Sequence, residues 1–304
     1  MELLNEIRNS FAQLKNNKAI KIGCVARPYR AWVLRHDNWY GVAIPYENAD
    51  VISERFSNVH LWSKTMIIEG YEEQLLLLTS DAEELRNEFA TVCAQFCDTG
   101  HDGNERNSLS ADPYAWWEKW KDLLGNSVYN KLSYSVLGEM IVYEQVIKRG
   151  MIAEWSALKK STHDIENEEE SFEVKSTIKR YESTVTINSQ YQLKKTDKDL
   201  SLIFCRFEPS LQGVNINDVV ERLVNIGVNR NQIDDGLEKL GYELGCNARK
   251  ERYILHEIRQ YIIDEKFPQI NAASFVEKKL PDLIIKLIYE VDLNGLEYST
   301  WQLL

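Results

Sequence analysis

The stretch Phe172-Glu173-Val174-Lys175-Ser176 decides how this chain folds and where its chemistry lies. It is strand-like, and successive strand residues point to opposite faces. Glu173 and Lys175 therefore share one side, while Phe172, Val174 and Ser176 share the other. A carboxylate and an ammonium stand together, and Asp164 lies a hairpin's length upstream. Two carboxylates can hold a hard divalent cation through oxygen. A lysine beside such a cation can orient or deprotonate a water, or neutralise a phosphate.

The surrounding pattern is that of a mixed α/β (α+β) protein. A helix rich in apolar residues is expected from about Ser127 to Lys148, capped by Gly150. Strand candidates follow at Ile152–Leu158, Ser161–Glu166, Ser171–Thr177 and Leu200–Phe207. Asp164 falls in the second of these and Glu173-Val174-Lys175 in the third. Glu139 lies upstream in the long helix, from which it can be aimed at the same metal or at a second one.

Outward from this core, residues 1–97 read as an N-terminal α+β module for assembly or targeting. Helix 1–16 is followed by strand runs at Ile20–Val25, Ala31–Leu34, Trp39–Ile44, Thr65–Ile68 and Gln74–Leu78, then a helix to about Cys97. Residues 98–112 are polar and rich in Gly, Asn and Ser, the composition of a linker. Residues 113–210 form the expected core. Its first helix is opened by Pro113 and carries Trp116, Trp117 and Trp120, a stripe read as core packing. Residues 211–304 read as a mostly helical extension, with a helix pair at Ile216–Ile226 and Asn231–Leu240 and a late strand at Lys286–Val291.

Composition sets limits. The 304 residues are 44% hydrophobic and include eight Trp and 15 Tyr, enough for a large core. No uncharged apolar run is long enough to span a membrane. Nothing at the N-terminus resembles a secretory signal, and five cysteines show no metal-ligand spacing, so a cytoplasmic protein with reduced thiols is expected. The net charge is −11, which disfavours a general nucleic-acid coat. Residues 171–198 run the other way, with six Lys/Arg against three acids, a local +3. No phosphate-binding glycine loop, zinc-type histidine pair or nucleophile elbow is present.

The landmarks resemble those of the bacterial family known as PD-(D/E)XK motif proteins, in the restriction-endonuclease-like superfamily. They are Pro113, Trp116-Trp117, Trp120, Leu123-Leu124-Gly125, Val136-Leu137-Gly138-Glu139, Trp155, His163-Asp164 and Phe172–Ser176. Val185-Thr186-Ile187, Gln192-Leu193 and Phe267-Pro268-Gln269-Ile270 continue the series. His163, not proline, precedes Asp164. The resemblance implies a nuclease site of Glu139, Asp164, Glu173 and Lys175, with the Val174 carbonyl as a further metal ligand. Gln192 would be a neighbour at the start of the helix after the motif strand. It also implies Mg²⁺, with Mn²⁺ as a substitute, double-stranded DNA as substrate, and cleavage within a restriction-modification or phage-defence system. The expected partners are a second copy of the chain, or a methyltransferase or ATPase subunit. The rival expectation is a non-catalytic structural or DNA-docking subunit that keeps the fold.

Overall fold

A computed structural model describes residues 2–56, 58–121, 132–159, 161–189, 191–271, 274–275, 284 and 286–304. The chain divides into two compact units. One holds Met1–Asn130 and Glu243–Asn247; the other holds Lys131–Tyr242 and Ala248–Leu304.

The first unit begins with α1 (Glu2–Gln13), followed by β1 (Lys18–Lys21), β2 (Trp32–His36), β3 (Trp39–Pro45), β4 (Ser53–Phe56), β5 (Val59–Ile68) and β6 (Tyr71–Ser80). The strands form an antiparallel sheet in the order β1-β2-β3-β6-β5-β4. Two-residue turns set the registers of β2 with β3 and of β5 with β6. Between β5 and β6, Glu69 and Gly70 both take positive φ, +51° and +86°, as a tight hairpin turn requires. Helix α2 (Arg86–Cys97) joins α1 on one face, around Ile7, Phe11, Tyr40, Leu76 and Phe89.

Residues 98–112 carry more than a connection, because α3 (Asn104–Ala111) lies there. Leu109 is buried in the same core, and the buried Arg106 donates to the carbonyls of Cys97 and Arg30, both at 3.0 Å. Polar composition hid this helix, since one leucine and one arginine anchor it. Helix α4 (Pro113–Lys121) also belongs to this unit. Its Trp117 is 1% exposed, and Trp116 meets Phe96 edge-on at 5.3 Å. The landmarks Leu123-Leu124-Gly125 and the expected helix start at Ser127 lie outside the described residues.

The second unit opens with α5 (Ser133–Lys148), then β7 (Glu154–Trp155), β8 (Ile165–Glu166), β9 (Glu170–Thr177), β10 (Thr184–Ile187) and β11 (Asp199–Val214). Helices α6 (Ile216–Asn225) and α7 (Arg230–Lys239) follow, then β12 (Tyr253–Ile262), β13 (Tyr289–Asp292) and β14 (Ser299–Thr300). The main sheet runs β14-β12-β11-β9-β8-β7, and β10 pairs with β13 in a separate ribbon. The strands expected at Ile152–Leu158 and Ser161–Glu166 shrink to two paired residues each. Among the described residues of 211–304, a segment expected to be mostly helical, two α-helices are followed by strands. The sequence of β12, YILHEIRQYI, lacks clean alternation, and its long antiparallel pairing with β11 makes it a strand.

Helix α5 packs on β9, and buried α5 residues such as Val136 and Met140 share a core with Phe172 and Val174. The contact is close because Gly138 has no side chain: a Cβ there would lie 2.3 Å from Ser176 Oγ. The opposite face of the sheet has its own core. There Leu202, Phe204 and Tyr261 meet Val185, Ile187 and Val291 of the β10–β13 ribbon. Among the described residues, no helix is long and apolar enough to cross a membrane.

Candidate active site

Strand pairing brings the motif residues together. Parallel pairing with β11 sets Glu173 beside Leu202 and Lys175 beside Phe204. Laterally paired residues share a face, so Glu173 and Lys175 lie on the ribbon side, away from α5. Antiparallel pairing of β8 with β9 sets Ile165 opposite Phe172. One residue further along that register, Asp164 faces Glu173. Asp164 sits in a bend just before β8, and its Oδ2 accepts the Val174 backbone N–H at 2.8 Å. A carboxylate thus takes the place of a ladder carbonyl, which holds it against the motif strand.

Glu173 is 2% exposed, unusual for a glutamate unless it is paired. Lys175 Nζ stands 3.0 Å from Glu173 Oε1 and donates to Gln192 Oε1 at 3.2 Å. Gln192 Oε1 also accepts the Asn188 backbone N–H at 2.7 Å. Gln192 thereby holds the ammonium, and it does so from a turn, not from the start of a helix. Among the described residues, the connection from β9 to β11 contains β10 and turns and no helix. Pairing with β13 holds this segment extended.

Glu139 occupies a different place. It is 1% exposed on α5, and its Oε2 accepts the Trp155 indole N–H at 3.0 Å. Trp155 pairs with Ile165, which pairs with Phe172, so this indole belongs to the helix side of the sheet. The structure groups Asp164, Glu173, Val174, Lys175 and Gln192, and sets Glu139 with Trp155 in the helical layer. His163 is 1% exposed; burial pushes its pKa down despite Glu166 at 3.6 Å, so it packs as a neutral ring.

The local excess of positive charge is partly spent. Lys179 pairs with Glu182, Lys195 with Asp199 and Lys198 with Glu166. Two residues to which the sequence reading gave no role in the site matter here. Trp155 orients Glu139. Arg206, 9% exposed on β11, secures the loop beyond the motif strand. A lone arginine inside the apolar run 200–207 was the available signal for the latter.

Among the described residues, no group of three or more His, Cys, Asp or Glu is arranged to hold a metal. Two carboxylates and a backbone carbonyl fall outside that count. Asp164, Glu173 and the Val174 carbonyl are all hard oxygen donors, the kind that suit Mg²⁺ or Mn²⁺. A second polar cluster lies in the first unit, where Ser53 Oγ is 2.8 Å and Glu243 Oε2 3.4 Å from the same His60 Nε2. A nucleophilic triad needs its acid and its nucleophile on opposite ring nitrogens, so this cluster acts as a clasp for Glu243.

A family model described as "Putative PD-(D/E)XK family member, (DUF4420)" matches residues 10–294. The chain belongs to this family. The match covers both units and all five grouped residues. No curated protein and no solved structure matches the chain.

Proposed function

We propose that this PD-(D/E)XK family member is a Mg²⁺-dependent DNA endonuclease, the cleavage component of a restriction-modification or phage-defence system. The observation that carries the reading is the juxtaposition on one sheet face of Asp164, Glu173 and Lys175, with the lysine fixed by Gln192. Such burial of mixed charge is costly for a surface strand and useful at a phosphate-cleaving site.

Asp164, Glu173 and the Val174 carbonyl would hold the ion, which when bound supplies positive charge that stabilises the phosphoryl oxygens. Lys175 has a side chain only 14% exposed and a fixed ammonium. It donates to the attacking water and to the phosphate oxygen on which negative charge grows. Gln192 and Glu173 keep it from swinging away. Glu139, held by the Trp155 indole in the helical layer, is not among the residues that would hold this ion. A homodimer, or a complex with a methyltransferase or ATPase, would supply two cuts and target choice.

Plasmid cleavage in Mg²⁺ or Mn²⁺ tests the reading. Lys175→Ala should lose about two orders of magnitude of rate, a typical cost for one electrostatic contributor. Undiminished cleavage by that variant overturns the site. A wild-type chain that binds DNA yet cleaves none favours the docking-subunit alternative.

A further inference from the structure

The loop that leaves the motif strand combines an exposed tip with a rigid base. Residues 178–183 join β9 to β10. Ile178 is 42% exposed and Tyr181 is 85% exposed, and the Arg180 guanidinium lies over the Tyr181 ring at 5.9 Å. Beneath them, Arg206 donates to the carbonyls of Lys179 and Glu182, the latter at 2.8 Å. It also donates to Ser183 Oγ at 2.8 Å and to Glu257 Oε2 at 3.1 Å, and it stacks on Phe204. The near end is fixed as well, since Lys179 N–H donates to Thr177 Oγ1 at 3.0 Å.

A connection of this length between two strands needs no buried arginine. Desolvating a guanidinium is expensive, and here its planar fork is spent on both ends of one loop. The effect is to set the backbone of 179–183 in advance, so that a partner meeting the tip has little left to order. A large ring and an aliphatic side chain held out in water by such a base indicate a contact surface.

Charge and position select the partner. The tip carries Lys179 and Arg180 against one acid, Glu182. Tyrosine and arginine together suit bases and phosphates, the ring by stacking and the cation by neutralising charge. Tyr181 lies six positions beyond Lys175, so the tip is within about 20 Å of the site along the chain. That reach equals about six steps along one DNA strand.

We propose that residues 178–183 form a DNA-contacting finger. Tyr181, with Ile178 beside it, packs against bases next to the scissile phosphate, and Arg180 holds a flanking phosphate. The proposal rests on the DNA reading of the Glu173–Lys175 site and names the side chains that grip the substrate beside it.

The test is fluorescence anisotropy with the full chain and a short labelled duplex, at low salt with EDTA so that no cleavage intervenes. Tyr181→Ala should weaken binding about tenfold, in the range expected for losing one base–aromatic stack. Tyr181→Phe should bind like wild type. Arg180→Ala should weaken binding and reduce the slope of log affinity against log salt by about one. Each variant should melt at the wild-type temperature, because the replaced side chains are exposed. Wild-type affinity in both Tyr181→Ala and Arg180→Ala overturns the finger and leaves the cleavage site standing. A wild-type chain with no affinity for DNA overturns the finger together with the DNA reading.

Discussion

Replacing Gly138 by alanine tests the packing that places α5 on the motif strand. The new Cβ would sit 2.3 Å from Ser176 Oγ, whereas its next neighbours, Phe207 Cε2 and Ser176 Cβ, are at 3.4 and 3.6 Å. One oxygen therefore creates the clash. Relieving it needs a shift of about 1 Å between helix and strand, or a turn of the serine hydroxyl within a buried layer. Overpacking of this kind costs about 2 kcal/mol. Alanine in place of glycine inside a helix returns about 1 kcal/mol. Gly138→Ala alone should then destabilise by about 1 kcal/mol. Ser176→Ala removes the oxygen, which is buried without a hydrogen-bond partner among the described residues, so it should be close to neutral. In that background Gly138→Ala meets only ordinary contacts and should stabilise by about 1 kcal/mol. The coupling, about 2 kcal/mol, is read from urea denaturation of the wild type, both single variants and the double variant. A coupling below about 0.5 kcal/mol would mean that the two sites act independently and that the close approach of α5 to β9 is wrong.

Removing a carboxylate should be felt in the metal. Asp164→Asn and Glu173→Gln should each lower Mn²⁺ affinity at least about tenfold by calorimetric titration, because each deletes an anionic oxygen donor; unchanged affinity in both rejects the ligand assignment. The clasp in the first unit predicts loss of stability in acid. Burial pushes the His60 pKa down, so the unfolded chain takes that proton first and stability falls as pH drops below about 6.5. Burial alone would raise the Glu243 pKa, but hydrogen bonds from His60 and Ser53 and the charge of Arg55 outweigh it and bring the pKa to about 2. Its contribution is therefore complete above about pH 4.5 and lost as pH falls towards 2. Thermal melts of Glu243→Gln should show lower stability at neutral pH and a shallower acid slope; a slope equal to that of wild type contradicts the clasp.

The sequence by itself determined what is periodic along one segment. Alternation in 172–176 puts Glu173 and Lys175 on one face whatever surrounds them. The apolar spacing of α1, α5 and α6 and the runs that became β2, β3, β5 and β6 were legible for the same reason. Family membership was legible too, because its landmarks are local words spread along the chain. What the tertiary structure alone decided are relations between segments. Asp164 faces Glu173 because a two-residue strand, too short to announce itself, sets a register. Gln192 reaches Lys175 from a turn because β10 spends the crossover pairing with β13. Glu139 lies in the helical layer because Gly138 lets α5 settle on Ser176, and a shift of one residue along the helix, about 100° of rotation, would aim it elsewhere. β12 is a strand because β11 offers it a long edge, and its own residues do not alternate cleanly. Arg206 looks like an intruder in an apolar run until the carbonyls of Lys179 and Glu182 arrive above it. Side-chain periodicity is a property of one stretch of chain, whereas register, facing and hydrogen-bond partnership exist only between two, and they are fixed when the segments pack.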